Sequence, residues 1–462
     1  MSFIKSISGF RGTIGGRPGD NLTPQDIVAS AAAFGQWVLD TTGNRTIVIG
    51  RDGRISGEMV SALVTNTLRA LGMHIVDLGL STTPTVEIAV PLENAGGGII
   101  LTASHNPKEW NALKLLNHKG EFISAADGKA VLELAESGNI EYAPVDQLGT
   151  YRTDDTYITK HIQMILDLPL VDIEAIRNKQ FNIVLDAINS TGSVAVPQLL
   201  EKLGCNVTII NGDITGVFAH NPEPLREHLV ELSRAVIQKK AHLGIAVDPD
   251  VDRLVFMCED GELFGEEYTL VAVADYILSN KKGNTVSNLS SSRALHDVTV
   301  KHGGEYFAAA VGEVNVVEKM KAVNAVIGGE GNGGIILPEL HYGRDALVGI
   351  ALFLSHLAHS GKHISTFRRM YPDYQMAKNK IAQSPEIQLD KVFEILSHKY
   401  RNEKVNREDG LKIDFAEGWV HLRPSNTEPI IRIYSESNSV VIANNLAKKI
   451  MQDIQDIVHQ KG

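Results

Sequence analysis

One arrangement of apolar and polar residues occurs three times before residue 310, and it limits the fold more than any other feature. A short apolar strand leads into a polar loop, an amphipathic helix, a glycine and a second strand. The copies run over 46–78, 181–210 and 286–309. Strands joined through a helix pair in parallel, because a tight hairpin joins only antiparallel strands. The sequence therefore predicts an α/β protein with three related domains and mixed, largely parallel sheets.

The C-terminal part of the chain has a different pattern. Two strands, predicted over 418–423 and 430–434, flank a polar loop, and a long helix is predicted over 439–458. A hairpin followed by one helix is typical of an α+β domain. We therefore predict a fourth domain. The predicted boundaries of the four domains are 1–155, 156–257, 258–369 and 370–462.

Composition narrows the class of protein. The chain has 462 residues, 43% of them hydrophobic and 21% charged, which suits a globular protein of several domains. Its formal net charge of -11 argues against nucleic acid or an anionic membrane as a partner. The longest apolar stretch, around 347–354, is too short to cross a bilayer, and no signal peptide is recognisable. Cys205 and Cys258 form no C-x-x-C pair. We expect a cytoplasmic protein.

The segment 101–116 joins a short apolar strand to a polar turn. Asn106-Pro107 turns the chain, so Ser104 is predicted to lie on a loop at a strand end, where open α/β sheets bind ligands. A serine hydroxyl can act there as a nucleophile or a phosphate acceptor. No G-x-S-x-G elbow is present, and the ring of His105 is expected to project away from Ser104. A turn that only satisfies its own backbone groups is the alternative.

Three aspartates alternate along a loop between two apolar strands. Asp248, Asp250 and Asp252 would repel one another unless a cation lay among them. Oxygen ligands suit Mg²⁺ or Ca²⁺. An EF-hand would need glycine where Arg253 stands and a helix where the sequence is strand-like, although Glu259 occupies its last ligand position. A solvated acidic turn is the remaining alternative.

A glycine-rich loop over 328–334 follows a predicted strand over 325–327. Its backbone N–H groups could surround a phosphate, but it lacks the lysine and hydroxyl residue of a P-loop. A structural glycine loop is the alternative.

A loop over 423–429 offers hydroxyls, an amide and Arg423, with Arg432 on the strand that follows. Guanidinium groups match phosphate oxygens bidentately, so the mixture indicates a phosphate site. A polar surface turn is the alternative.

The segment Thr-Ala-Ser-His-Asn-Pro at 102–107, together with Asn111 and Lys114, resembles the phosphoserine loop of the α-D-phosphohexomutase family. The other loops follow in that family's order. Its metal loop usually reads Asp-Gly-Asp-Gly-Asp-Arg, and here Pro249 and Val251 replace the glycines. Its sugar loop usually reads Gly-Glu-x-Ser-Gly-His. This chain keeps the glutamate as Glu330, whereas Asn332 replaces the serine and Gly334 the histidine.

The resemblance implies four domains whose loops meet in a cleft. The domains would carry, in order, the phosphoserine, metal-binding, sugar-binding and phosphate-binding loops. It also implies a phosphoryl transfer between O6 and O1 of a hexose phosphate, through phosphorylated Ser104 and a bisphosphorylated intermediate. Lys114 would act as general acid/base, which requires a lowered pKa.

The implied residues form four groups. They are Ser104, Lys114, Arg253, His105 and Arg11 for catalysis; Ser104, Asp248, Asp250 and Asp252 for the metal; Glu330 and Asn332 for the sugar; and Arg423, Ser425, Asn426, Thr427 and Arg432 for phosphate.

The resemblance further implies Mg²⁺ and a sugar 1,6-bisphosphate activator as cofactors. The expected conversion is glucosamine 6-phosphate to glucosamine 1-phosphate, with phosphoglucomutase/phosphomannomutase activity as the alternative. A metal-dependent sugar phosphatase and a non-catalytic sugar-phosphate-binding protein are more distant alternatives. A hexose phosphate is the expected partner of a monomer or homodimer, with neither nucleic acid nor a membrane involved.

Overall fold

A computed structural model describes residues 3–6, 9–382, 388–425 and 430–459 of the chain. The chain divides into two compact units. Unit 1 comprises Met1–Ile277 and Asn332–Arg368, and unit 2 comprises Leu278–Gly331 and Arg369–Gly462. Within the described residues, none of the helices has both the length and the apolar character needed to cross a membrane.

The described residues contain strands of three to eight residues. They are β1 (Ile4–Ser6), β2 (Gly9–Thr13), β3 (Thr46–Arg51), β4 (His74–Leu80), β5 (Gly97–Leu101), β6 (Trp110–Leu116), β7 (Tyr151–Thr153), β8 (Asn182–Asp186), β9 (Asn206–Ile210), β10 (Leu243–Val247), β11 (Leu254–Cys258), β12 (Asn284–Asn288), β13 (Tyr306–Ala309), β14 (Ala325–Glu330), β15 (Gly334–Ile336), β16 (Gln375–Ala382), β17 (Lys404–Asn406), β18 (Leu411–Phe415), β19 (Gly418–Pro424) and β20 (Ile430–Ser437).

The helices have five to twenty residues. They are α1 (Pro24–Thr42), α2 (Gly57–Ala70), α3 (Thr83–Leu92), α4 (Ala125–Ser137), α5 (Tyr157–Leu166), α6 (Ile173–Lys179), α7 (Gly192–Lys202), α8 (Val230–Lys239), α9 (Glu266–Asn280), α10 (Ala294–Lys301), α11 (Glu313–Ala322), α12 (Ala346–Ser360), α13 (Ile364–Arg368), α14 (Leu389–Lys399) and α15 (Val440–His459).

The first sheet of unit 1 has seven strands in the order β1-β2-β6-β5-β3-β4-β7. The pairs β5–β3, β3–β4 and β4–β7 are parallel, whereas β6 runs antiparallel to both of its neighbours. Every residue of β5 is buried, as expected for a strand with elements packed on both faces. The turn after β5 carries Ser104.

The second sheet of unit 1 has the order β11-β10-β8-β9. β10 pairs in parallel with β8 and antiparallel with β11. The acidic loop is therefore the tight connection between two neighbouring strands, and its ends are held by a five-residue register from Leu243 to Val247. Phe256 on β11 stacks on Phe353 of α12, with ring centroids 3.7 Å apart. α12 is buried on nearly all sides, which explains its almost continuous apolar sequence.

Unit 2 contains the parallel strands β13, β12 and β14 and the antiparallel sheet β16-β20-β19-β18-β17. The apolar faces of α14 and α15 pack on the antiparallel sheet, where Leu396, Ile450 and Ile433 are fully buried. The C-terminal segment is thus an α+β arrangement, as predicted.

The structure confirms the predicted fold class and differs from the sequence prediction mainly at element ends. The strands predicted over 206–210 and 306–309 have those bounds, whereas the last strand extends to Ser437 because it pairs with β16 along its whole length. The boundaries proposed for the four domains stay a prediction.

Candidate active site

Ser104 lies on the turn after β5 with a left-handed backbone, at φ 50°. Its hydroxyl donates a hydrogen bond of 2.7 Å to Oδ2 of Asp248. Nδ1 of His105 lies 3.3 Å from the same hydroxyl. We expected the His105 ring to project away, which was wrong, because alternation of side chains holds only for an extended backbone. Ser104 is 3% exposed, so the hydroxyl is held in a confined place.

Arg54 fixes this turn, and the sequence analysis did not single it out. Its guanidinium donates to the backbone carbonyls of Ser104, Asn106, Pro107 and Trp110. The residue is only 2% exposed. A planar guanidinium with five N–H donors is the side chain best suited to several carbonyls at once.

Asp52 balances the charge of Arg54. Its Oδ2 accepts from Nε of Arg54 at 3.0 Å and from the Thr102 hydroxyl at 2.6 Å. Burial raises the pKa of Asp52, and the neighbouring guanidinium opposes that shift. The sequence signal was available, because Arg-Asp-Gly-Arg at 51–54 follows a strand in the same βαβ unit. The contacts of Arg54 and Asp52 with residues 102–110 could not be predicted from the local sequence pattern.

The acidic loop is held mainly through its backbone. Oδ1 of Asp248 accepts from the N–H groups of Asp252 and Arg253, at 3.2 and 3.1 Å. The carbonyl of Pro249 accepts from the hydroxyls of Ser190 and Thr191, at 2.7 and 2.8 Å. These bonds turn the carboxylates of the loop toward one place.

The three aspartates are completely buried and close together, with ligand oxygens within 4.8 Å of one another. Lys114, on β6, places Nζ 2.7 Å from Oδ2 of Asp250 and 3.5 Å from Oδ2 of Asp252. Arg344 donates to the same oxygen of Asp252 at 2.7 Å.

Two further groups complete the surroundings of the triad. The Thr83 hydroxyl donates to Oδ2 of Asp250 at 2.6 Å. Nη1 of Arg253 lies 3.3 Å from Oε1 of Glu223. Arg344, Thr83 and Glu223 were all missed from the sequence, because only the fold brings their segments to this loop.

Two oxygens of the triad have no hydrogen-bond donor among the described residues. Oδ1 of Asp250 and Oδ1 of Asp252 are buried and accept no hydrogen bond from any described residue. A buried carboxylate oxygen without a donor is costly. An oxygen-only donor set of this kind fits a hard divalent cation such as Mg²⁺. The residues present therefore fit the metal that the resemblance implies.

The pKa values of the triad diverge. Burial and the charges of Asp252 and Asp250 hold the pKa of Asp248 well above its usual range. Burial acts on Asp250 too, but the charge and hydrogen bond of Lys114 bring the pKa of Asp250 below its usual value. For Lys114, burial lowers the pKa, yet Asp250 and Asp252 outweigh it and the net shift is upward. The lowered pKa expected of Lys114 depends on a bound metal and stays a prediction.

Two more predicted residues belong to the surroundings of Ser104: Arg11 contacts its turn from β2, and His105 lies on the turn itself. Nη1 of Arg11 donates to Oδ1 of Asn106 at 2.9 Å. Burial, followed by the charges of Arg253 and Arg11, holds the pKa of His105 well below its usual value. His105 is therefore a neutral imidazole near neutral pH.

The predicted sugar-binding residues belong to different units. Glu330, in unit 2, accepts from Nδ2 of Asn288 at 2.9 Å and from the N–H of Gly312 at 3.2 Å. Asn332, in unit 1, accepts from the N–H of Gly334 at 3.1 Å, so its carbonyl oxygen closes a local turn.

The predicted phosphate-binding loop is described in part. Asn426 and Thr427 lie outside the described residues. Arg423 and Arg432 are directly opposite each other on β19 and β20. Burial and then the charge of Arg432 lower the pKa of Arg423, and its Nε has no hydrogen-bond partner among the described residues. Ser425 closes the strand end, donating its N–H to the Ile430 carbonyl at 2.9 Å. Two adjacent guanidinium groups favour an anion such as phosphate.

Four family models match the chain in order. They are phosphoglucomutase/phosphomannomutase domain I at residues 4–140, domain II at 156–261, domain III at 265–374 and the C-terminal domain at 375–453.

Curated relatives match over nearly the whole chain. A phosphoglucomutase/phosphomannomutase of Thermococcus kodakarensis is 36% identical and covers 93% of this chain and 94% of its own length. A probable phosphoglucosamine mutase of Methanopyrus kandleri is 32% identical, covering 97% and 96%. A phosphoglucosamine/phosphogalactosamine mutase of Sulfurisphaera tokodaii is 29% identical, covering 98% and 100%.

Solved structures show the same fold. A phosphoglucomutase/phosphomannomutase family protein of Burkholderia thailandensis matches with a TM-score of 0.86 at 24% identity, covering 99% of this chain and 97% of its own. A putative phosphomannomutase of Thermus thermophilus matches with a TM-score of 0.82 at 23% identity, covering 99% of both chains.

Fold and site together define a phosphohexomutase, an isomerase that acts on sugar phosphates. The chain belongs to the phosphoglucomutase/phosphomannomutase family.

His421 lies in unit 2 on β19, the strand that leads into the predicted phosphate-binding loop. Its Nε2 donates to the Asp409 carbonyl at 2.7 Å, and its Nδ1 lies 2.8 Å from the Ser290 hydroxyl. Burial lowers the pKa of His421 to about 4.

We expect unit 2 to lose stability as the pH falls. Below pH 6.5 the unfolded chain binds a proton at residue 421 that the folded chain does not bind, so the free energy of unfolding falls by about 2 kcal/mol between pH 6.5 and 5. His421→Gln should remove that part of the pH dependence in urea unfolding curves. The exposed His398→Gln should leave it intact, and equal pH slopes for H421Q and wild type would contradict the assignment.

Proposed function

We propose that this mutase interconverts glucosamine 6-phosphate and glucosamine 1-phosphate, with phospho-Ser104 as donor and acceptor. One observation carries the proposal. The Ser104 hydroxyl donates to Asp248, which belongs to a buried triad of aspartates, and two oxygens of that triad accept no hydrogen bond from any described residue. A confined site of this kind favours transfer of the phosphoryl group to a sugar over its hydrolysis, because it keeps water away from the phosphorus.

The transfer is a direct exchange of oxygen partners on phosphorus. The sugar hydroxyl oxygen forms a bond to the phosphorus of phospho-Ser104, while the bond from phosphorus to Ser104 Oγ breaks. The sugar is then bisphosphorylated, and the reverse transfer returns its other phosphoryl group to Ser104. Positioning and charge stabilisation supply most of the rate in reactions of this kind.

Positive charge around the triad is proposed to stabilise the transferred group. Asp248, Asp250 and Asp252, with Ser104, would hold Mg²⁺, which supplies positive charge to the phosphoryl oxygens and weakens the hold of the aspartates on Lys114. Arg253 would bind the phosphoryl oxygens, exchanging its contact with Glu223 for them.

In each transfer the attacking hydroxyl loses a proton and the departing oxygen gains one, so Ser104 Oγ takes up a proton in the first transfer and gives it up in the second. We propose Lys114 as the main acid/base group, since it lies among the aspartates at 2.7 Å from Asp250. His105 is the second candidate, because a neutral imidazole 3.3 Å from Ser104 Oγ can accept a proton.

The remaining roles concern the substrate's distal groups. Glu330 and Asn332 are proposed to bind sugar hydroxyls, and Arg11 to support the phosphoserine turn. Arg423, Ser425, Asn426, Thr427 and Arg432 are proposed to bind the phosphate that is not reacting. The sugar 1,6-bisphosphate activator, a cytoplasmic location and a monomeric or homodimeric state are part of the same proposal.

Ser104→Ala should abolish mutase turnover. Removal of a residue that forms a covalent intermediate lowers kcat by at least about a thousandfold. The assay follows conversion of the 6-phosphate to the 1-phosphate with the bisphosphate activator present. Ser124→Ala is the matched control, because Ser124 only caps α4. An S104A enzyme with full turnover would exclude the phosphoserine route.

Metal removal should stop turnover, and Asp250→Asn should weaken metal binding itself. We expect EDTA to abolish activity and Mg²⁺ to restore it. Calorimetry should show at least about a tenfold weaker Mg²⁺ affinity for D250N, a loss of about 1.4 kcal/mol. The exposed Asp260→Asn is the control. Unchanged Mg²⁺ affinity in D250N would remove the triad as the metal site.

Substrate preference distinguishes the two mutase activities. The relatives include probable phosphoglucosamine mutases and a phosphoglucomutase/phosphomannomutase. We expect kcat/KM for glucosamine phosphate to exceed the values for glucose and mannose phosphates at least about tenfold, roughly 1.4 kcal/mol in the transition state. A preference for glucose or mannose phosphate would assign the enzyme to phosphoglucomutase/phosphomannomutase activity. Release of inorganic phosphate without isomer formation would indicate a phosphatase.

A further inference from the structure

A second group of ligand-type side chains lies within unit 1, separate from the aspartate triad. His161, His341 and Asp345 each offer one ligand atom, and these atoms lie within 4.8 Å of one another. The Nε2 atoms of His161 and His341 both face Oδ2 of Asp345, at 2.8 and 3.3 Å. His161 and Asp345 have no exposed side-chain surface, and His341 is 12% exposed. The mechanism proposed above uses none of these side chains.

The fold leaves one oxygen of Asp345 for the two imidazoles. Asp345 is the N-cap of α12, and its Oδ1 accepts from the N–H groups of Leu347 and Val348. Oδ2 therefore points away from the helix toward both rings. His161 comes from α5, so the cluster joins segments that are far apart in the sequence.

The outer nitrogens of both rings face side chains of α3. Nδ1 of His161 lies 3.0 Å from the Thr85 hydroxyl. Nδ1 of His341 lies 3.4 Å from Oε2 of Glu87. In metal sites, ligating histidines direct the second ring nitrogen to a hydroxyl, carbonyl or carboxylate that fixes the tautomer.

Both ring nitrogens of His341 face carboxylate oxygens, and this arrangement favours a cation beside the ring. A neutral imidazole has one N–H and one lone pair. Nε2 of His341 faces a carboxylate oxygen of Asp345, and Nδ1 faces a carboxylate oxygen of Glu87. A neutral His341 must therefore direct its lone pair at one carboxylate.

We propose that His161, His341 and Asp345 form a second metal site, with Nε2, Nε2 and Oδ2 as ligands, for a divalent ion of the Zn²⁺ class. A cation between Nε2 of His341 and Oδ2 of Asp345 removes the conflict and leaves Nδ1–H to face Glu87. The Thr85 hydroxyl would accept from Nδ1–H of His161 in the same way.

The donor set selects the ion. Two imidazoles and one carboxylate suit Zn²⁺, whereas Mg²⁺ prefers oxygen ligands. Bonds of about 2.0–2.1 Å space tetrahedral ligand atoms about 3.3 Å apart. The His341–Asp345 pair has that spacing, and the His161–Asp345 pair must open by about half an ångström to reach it. A fourth ligand would be water on the exposed side of His341.

The test measures zinc in the full-length, tag-free protein. The protein is incubated with ZnCl₂ and excess Mg²⁺, which occupies the aspartate triad, and then gel-filtered. We expect elemental analysis to find one zinc per chain in the wild type and none in His341→Gln. His363→Gln, at an exposed position, is the matched control and should keep the zinc. A wild type without zinc, or an H341Q protein that retains it, would overturn the proposal.

A second measurement does not depend on the variant folding. Zinc X-ray absorption of the wild type should show two imidazole nitrogens at about 2.0–2.1 Å. Co²⁺ in place of zinc should give the intense visible absorption of a tetrahedral ion. An octahedral, oxygen-only spectrum would mean that the ion binds at the triad, and would overturn the second site.

Discussion

Repulsion among three buried carboxylates is the constraint on which the rest of unit 1 depends. Charges a few ångströms apart in a medium of low dielectric interact far more strongly than in water. Asp248, Asp250 and Asp252 have no exposed surface, so solvent cannot offset the repulsion. Lys114 and Arg344 must therefore reach the loop from β6 and from the segment before α12. The acidic loop consequently organises the elements that surround it.

The donors around the triad satisfy only some of its carboxylate oxygens, as the proposed metal site requires. Lysine, arginine and threonine donors satisfy the Oδ2 atoms of Asp250 and Asp252, while both Oδ1 atoms have no donor among the described residues. A fully paired triad would have no reason to bind a cation. The pKa of Asp248 is raised and that of Asp250 is lowered, so these two carboxylates differ in charge environment. The protein holds the site in shape, and the proposed Mg²⁺ would supply the positive charge that these donors do not.

Local sequence pattern predicted secondary structure and the loops that carry candidate residues. It did not predict contacts between segments that are distant in the sequence. The strands and helices of the three repeated segments, the C-terminal hairpin with its helix, and the loop positions of Ser104, Asp248 and Arg423 followed from periodicity, turn residues and family resemblance. The run over 51–54 marks a polar loop after a strand, but the role of Arg54 could not be predicted from it, because that role depends on carbonyls about fifty residues further along the chain. The ring direction of His105 failed for a different reason, since a positive φ at Ser104 is a property of the folded turn.

Val251 shows how strongly the surroundings determine the acidic loop. The residue adopts φ 62° although β-branched side chains disfavour the left-handed region, at a cost of about 1–3 kcal/mol. Related loops usually carry glycine there. The conformation persists because Val251 donates to the Asp248 carbonyl and accepts from the Ala346 N–H. Its buried side chain offsets part of the strain. The loop geometry therefore comes from contacts on both sides, and glycine is one way to reach it among others.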